Sequence, residues 1–196
     1  MLEAPTINGR RMSLAGTAAD ATPLLEAHIP GLRCFARALL RGDRERADDL
    51  VQDTLERALS SWQLCRIEGD LRGWLYTILY NRFRSDRKRQ TRRGAYEGLT
   101  EIVDDKLPCV DGGQDLALEY RDLLRAFAVL PAEQRAVLLL IAVEDLSYEE
   151  AARVLDVPIG TVMSRLSRGR ERLRRLTGGE TDGNFRHRAV ALSRAT

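Results

Sequence analysis

Residues 147–176 read SYEEAARVLDVPIGTVMSRLSRGRERLRRL, and the fold is decided there. Ser147 followed three residues later by Glu150 is a capping-box pattern, which starts a helix. That helix runs to about Leu155, and Asp156-Val157-Pro158 makes a turn. A second helix spans about Gly160 to Leu176. In it Val162, Leu166, Gly169 and Leu173 recur at i, i+4, i+7 and i+11, so they share one inward-packing face. Ala151 and Ala152 are small enough to let the two helices approach closely. Thr161, Ser164, Arg165 and Arg168 lie away from the packing face, near the N-terminus of the second helix. A capped helix, a short turn and an arginine-rich helix form the pattern of a helix-turn-helix. In such a unit the second helix meets the major groove, where arginine bonds a guanine edge in bidentate fashion or holds a phosphate. Arg170, Arg172, Arg174 and Arg175 add sequence-independent phosphate attraction. A basic helical hairpin with no nucleic-acid role would carry the same pattern.

Working outward toward the N-terminus, Leu116, Leu123, Phe127 and Leu130 form the stripe of a helix that begins near Asp115. Pro131 opens the next helix at a position where its missing N–H costs nothing. That helix, PAEQRAVLLLIAVED, is apolar enough to sit at the centre of its domain. The segment from about Gly94 to Gly113 contains Pro108 and a Gly-Gly pair without sustained period, and reads as a linker. Before it, a long helix is expected from about Leu71 into the basic run, burying Leu71, Leu75, Ile78 and Leu79. Gln63 to Asp70 reads as a loop marked by Gly69. From Arg44 to Trp62, Ala47, Val51, Leu55, Ala58 and Trp62 fall three or four apart on one face. RGD (Arg41 to Asp43) separates that helix from an apolar-periodic run over Leu24 to Leu40. No strand-like alternation occurs. The chain therefore reads as all-α: a flexible leader over 1–22, a helical domain over 23–93, a flexible acidic linker over 94–114, a second helical domain with the helix-turn-helix over 115–177, and a mobile tail over 178–196.

Composition narrows the function classes. Of 196 residues 44% are hydrophobic, enough for buried cores. No apolar run approaches the roughly 18–20 residues that a membrane-crossing helix needs, so membrane insertion is not expected. The N-terminus has no hydrophobic stretch of secretory type, which places the protein in the cytoplasm. Cys34, Cys65 and Cys109 are scattered, and His28 and His187 are far apart, so no metal-ligand spacing and no cofactor are expected. No phosphate-cradling glycine loop or nucleophile–base pattern points to an enzyme. The net charge of +2 conceals a segregation: Arg82 to Arg93 holds seven basic residues against one acid, Arg165 to Arg175 six against one, and Tyr96 to Leu118 six acids against one lysine. Two basic patches around an acidic stretch fit two contacts with a polyanion and a connector that avoids it.

In the first domain, DLRGWLYTILYNRFRSDRKRQTRR sets Trp74, Tyr76, Tyr80 and Phe83 beside the basic run. Aromatic rings next to arginines supply stacking and backbone neutralisation for single-stranded nucleic acid. The same rings could equally be core, most simply Trp74, which shares the apolar face. The helix over Ala47 to Trp62 carries Asp48, Asp49, Gln52, Asp53 and Glu56 on its other side. That face suits a basic protein surface better than DNA, or is ordinary solvated helix.

Three stretches in this order, ADDLVQDTLERALSSW, LRGWLYTILYNRFRSDRKR and LPAEQRAVLLLIAVEDLSYEEAARVLDVPIGTVMSRLSRGRERLRRL, resemble the small bacterial sigma factors of the extracytoplasmic-function group, over roughly Leu24 to Leu176. The resemblance implies that the chain brings core RNA polymerase to promoter DNA and performs no nucleotide chemistry itself. It implies that Asp48, Asp49, Gln52, Asp53 and Glu56 face the clamp helices of the polymerase largest subunit, with a further contact to the flap. It assigns Trp74, Tyr76, Tyr80, Asn81, Asp86, Arg87 and Arg89 to recognition and melting of the −10 element. Thr161, Met163, Ser164, Arg165 and Arg168 are assigned to the −35 duplex. It also implies an anti-sigma partner clamped between the domains. Two positions depart from the family pattern. Asp156 stands where glycine is common in the turn, so aspartate must tolerate an unusual backbone angle. Met163 stands where lysine is frequent. The alternative reading is a helix-turn-helix regulator that binds duplex DNA without the polymerase core.

Overall fold

Arg41 and Gly42 both take positive φ (58° and 91°), which reverses the chain before Asp43. The Asp43 side chain then accepts from the Arg46 amide at 3.1 Å and starts the next helix. The computed structural model describes residues 18–62, 70–92 and 123–177. The elements are α1 (Ala18–Glu26), α2 (Ile29–Leu39), α3 (Arg44–Ser61), α4 (Leu71–Arg92), α5 (helical over 123–129), α6 (Ala132–Ala142), α7 (Tyr148–Leu155) and α8 (Ile159–Leu176). Among the described residues every regular element is a helix, as the all-α reading expects. The loop expected over Gln63 to Asp70, except Asp70 itself, the linker over 94–114, the start of the helix near Asp115 and the tail over 178–196 lie outside the described residues.

Three expectations need correction. The leader does not extend to residue 22, because Ala18–Glu26 is helical and buries Ala21 and Leu25, one turn apart, with α1 lying against α3. A short helix with Pro23 inside it leaves too few apolar positions for a period to show. The run over Leu24 to Leu40 is two helices, since Pro30 sits in the first turn of α2 and fixes a new start after His28. In α4, Leu75 and Leu79 are buried as expected, but Leu71 and Ile78 are half-buried at the edge of the core.

The second domain follows the sequence closely. Pro131 precedes α6, and its carbonyl accepts from the amides of Gln134 and Arg135 at 3.0 Å each. Both arms of the capping box form: Glu150 N–H to Ser147 Oγ at 3.2 Å, and Ser147 N–H to Glu150 Oε2 at 2.7 Å. Asp156 closes α7 in the left-handed region, φ 53° and ψ 54°. The buried positions of α8 are Val162, Leu166, Gly169 and Leu173. A Cβ on Gly169 would stand 2.9 Å from Leu138 Cδ1, so glycine there sets how near α8 lies to α6.

The two helical halves, α1–α4 and α5–α8, pack on each other. α4 lies against α7 and α2 against α6, and the buried side chains of both halves form one continuous cluster. Polar groups cross the same seam. Arg135 on α6, 2% exposed, donates to the Ala128 carbonyl at 2.7 Å and to the Leu39 carbonyl at the end of α2 at 2.9 Å. A guanidinium satisfying an otherwise open C-terminal carbonyl of a helix is favourable on both counts.

Candidate functional site

The helix-turn-helix gives the first surface. With Val162, Leu166, Gly169 and Leu173 packed, the other side of α8 holds Met163 and Arg168 in solvent and Thr161, Ser164 and Arg165 half-exposed. Ser164 Oγ donates to the Thr161 carbonyl at 3.1 Å, which fixes its rotamer against the helix. Met163 at 47% and Ile159 at 38% exposure add apolar area beside the arginines. Cationic forks beside apolar tips match what the major groove offers, acceptor edges and thymine methyls.

The second surface lies on α3 and α4. Asp48, Asp49, Gln52 and Glu56 are exposed and Asp53 is half-exposed, as a partner-facing side requires. Several are already engaged. Asp48 pairs with Arg33 Nε at 3.3 Å, and Gln52 Nε2 donates to Glu56 Oε1 at 3.0 Å. Arg82 Nε lies 2.8 Å from Asp53 Oδ2 and 3.4 Å from Asp86 Oδ2. Arg82 thereby joins the acidic face to the basic run. A groove of about 440 Å³ between α3 and α4 is lined by Asp49, Gln52 and Asp53 on one wall and Asp86, Arg87 and Arg89 on the other. Residues for which the resemblance implies separate partners thus share one groove.

Of the two placements that the sequence left open for the aromatic rings, this arrangement takes the core one. Trp74, Tyr76 and Tyr80 are 5%, 2% and 3% exposed, so none is an open stacking platform. Tyr76 packs edge-on to Phe35, ring centroids 5.1 Å apart. Tyr76 and Tyr80 stand one turn apart on α4 and Trp74 two residues before Tyr76, so the helix buries rings on more than one of its sides. Burial, then the charges of Glu133 and Arg165, acts on the Tyr80 hydroxyl and raises its pKa overall, which locates this side chain at the seam between the halves. Asn81 and Arg89 are exposed, while Asp86 and Arg87 are half-exposed.

Sequence reasoning missed the charged groups of the seam. Arg72 Nη2 meets Glu144 Oε2 at 2.6 Å, with the Glu144 side chain 7% exposed. The Tyr76 hydroxyl donates to the same carboxylate; burial and that carboxylate push the phenol far above its ordinary range. Gly31 faces this group: a Cβ there would stand 2.8 Å from the Tyr76 hydroxyl oxygen and 3.5 Å from Glu144 Oε2. Arg87 Nη1 donates to Glu133 Oε1 at 2.7 Å. The available signal was an acid, Glu144, ending a long apolar run, but nothing local names its partner.

Comparison with known proteins bears on both surfaces. Residues 120–173 match the family described as "Sigma-70, region 4", and residues 25–80 that described as "Sigma2 domain of PhyR". The chain is 40% identical over 148 residues to the ECF RNA polymerase sigma factor EcfG of Rhodopseudomonas palustris, covering 75% of this chain and 79% of EcfG. The chain belongs to the extracytoplasmic-function sigma factors. It is also 32% identical over 145 residues to SigW of Bacillus subtilis, covering 68% of this chain and 76% of SigW. Among solved structures, the sigma factor RpoE in complex with the anti-sigma factor NepR from Bartonella quintana is similar at TM-score 0.69 and 36% identity, over 82% of this chain and 98% of that one. CnrH, in complex with the cytosolic domain of CnrY, shares the fold at TM-score 0.60 and 24% identity, over 85% of this chain and 93% of that one. As an RNA polymerase sigma factor, the chain is not a duplex-binding regulator that works without the polymerase core. No helix among the described residues is long and apolar enough to cross a membrane.

Proposed function

We propose that this sigma factor carries core RNA polymerase to promoters with two elements, works in the cytoplasm and does no chemistry of its own. In this reading α8 reads the −35 element as duplex through Thr161, Met163, Ser164, Arg165 and Arg168. The C-terminal half of α4, with Asn81, Asp86, Arg87 and Arg89, engages the −10 element. Tyr76, Tyr80 and Trp74 contribute there only after the seam has opened. The acidic side of α3, Asp48, Asp49, Gln52, Asp53 and Glu56, meets the polymerase largest subunit, and the second domain meets the flap. An anti-sigma partner is part of the proposal, supported by the NepR complex of the Bartonella quintana relative.

The observation that carries the reading is the α7–Asp156–α8 unit. Its capping box, left-handed turn and four buried α8 positions leave one arginine-bearing side of α8 for the groove. Run-off transcription with purified core polymerase on a promoter library tests it. Transcripts that depend on this chain and share two upstream elements are expected. Asp49→Lys with Asp53→Lys should abolish association with core polymerase while leaving duplex binding intact. No chain-dependent initiation at low salt, without inhibitor, would overturn the reading.

A further inference from the structure

The first two turns of α8 leave apolar side chains in water. Ile159 is 38% and Met163 47% exposed, one turn apart, and neither joins the core cluster. At 3.6 residues per turn, Ile159, Gly160, Met163 and Ser167 share one side of the helix, on a flank of its buried stripe. Arg170 follows on that side, two turns beyond Met163. The side is thus uncharged at its tip and carries an arginine farther along.

Gly160 gives a second, independent sign. A Cβ built there would meet nothing within 4 Å, and its φ is not positive. Neither packing nor backbone shape therefore calls for glycine, although glycine weakens a helix relative to alanine. A backbone without a side chain between Ile159 and Met163 fits close approach by something outside the chain. The surrounding charge says what that is. Arg165, Arg168 and Arg170 favour a polyanion, which selects duplex DNA over an apolar protein groove. In the major groove the apolar group on offer is the C5-methyl of thymine. Ile159, Gly160 and Met163 have no donor fork for a guanine edge, so their side of the tip is fitted to methyls instead.

We propose that, within the −35 role proposed for α8, Ile159 and Met163 read thymine methyls and set a preference for A·T pairs where the tip of α8 enters the groove. Ile159 thereby joins the specificity-determining residues, and Gly160 leaves room for the base edge. Arginines on phosphates would tolerate any sequence at that step. Two apolar side chains make it a specified one.

The test uses holoenzyme assembled from core polymerase and the full chain, on duplex promoters selected in the run-off library. Each thymine of the upstream element is replaced in turn by deoxyuridine, which deletes only the methyl. One or two neighbouring replacements should each weaken wild-type binding by about 4-fold. With Ile159→Ala and Met163→Ala combined, the same replacements should cost nothing further. Both positions are exposed, so this double variant should keep the wild-type Tm and its association with core polymerase. Gly160→Ala should raise Tm yet weaken binding to the thymine-bearing duplex, a pair of signs that a structural role would not give. An upstream element without A·T pairs, a neutral uracil series, or an equal uracil penalty in the double variant would each overturn the methyl reading. If Arg165→Ala with Arg168→Ala still abolishes upstream protection in those cases, the −35 assignment of α8 stands. If upstream protection survives that change, the assignment falls and methyl reading falls with it. Loss of core association in the Ile159/Met163 double variant would give the apolar tip to the polymerase, and sink the methyl reading as well.

Discussion

Asp156 shows what a single residue contributes. It holds φ 53° and ψ 54° at the end of α7, and its amide still reaches the carbonyls of Ala152 and Arg153. A β-carbon in that region costs roughly 1–2 kcal/mol, and aspartate is among the residues that bear it best. Glycine removes the steric cost but gives the unfolded chain more freedom to lose. Asp156→Gly should therefore raise stability by only about 0.5 kcal/mol. Asp156→Val, branched at the strained position, should lower it by about 1–2 kcal/mol. Thermal unfolding of the two variants against wild type measures both signs.

At the scale of elements, α7 and α8 illustrate why the second domain is legible in the sequence. Their start, stop and packing face depend on neighbours within four residues: the Ser147–Glu150 reciprocity, the Asp156 turn, and the buried spacing from Val162 to Leu173. Such interactions leave a local trace in the sequence. Gly169 is the least forgiving of these positions, because any side chain meets Leu138 on α6. Gly169→Val should cost about 1–3 kcal/mol by overpacking, measured by denaturant unfolding. Ser147→Ala should cost about 1 kcal/mol through the lost cap. Helix α1 left no comparable trace, because Ala21 and Leu25 are buried by α3 rather than by their own period. The aromatics of α4 left both placements open for a related reason: a ring beside arginines looks alike whether solvent or another element covers it.

At the scale of the whole molecule, the seam is what sequence could not reveal. Its contacts join residues 72, 46 and 96 apart, and each partner alone is an unremarked charge. The seam also predicts acid sensitivity. Burial, then Arg72, lowers the His28 pKa from its ordinary 6.5, against the pull of Asp70 and Glu144. Protonation is thus disfavoured in the folded chain, and stability falls as pH drops from about 6.5 to the lower folded value, then levels. The Glu133 and Glu150 carboxyls are lowered from 4.5. Glu150 owes this first to the backbone amide of Ser147. Their contribution is present above 4.5 and is lost as pH falls through the folded values. Melting temperature should therefore decline in two stages, and His28→Gln should remove the first while leaving the second. A single decline, unchanged in that variant, would show that His28 plays no part.

Gly31 ties these scales together. It lies in the first turn of α2, where alanine would favour the helix by roughly 1 kcal/mol. The added methyl would nevertheless displace the Tyr76 hydroxyl and crowd Glu144. Gly31→Ala should thus strengthen an element and loosen the joint beside it. The bare backbone at residue 31 is a tuning point where one methyl trades the sturdiness of a part against the closure of the whole.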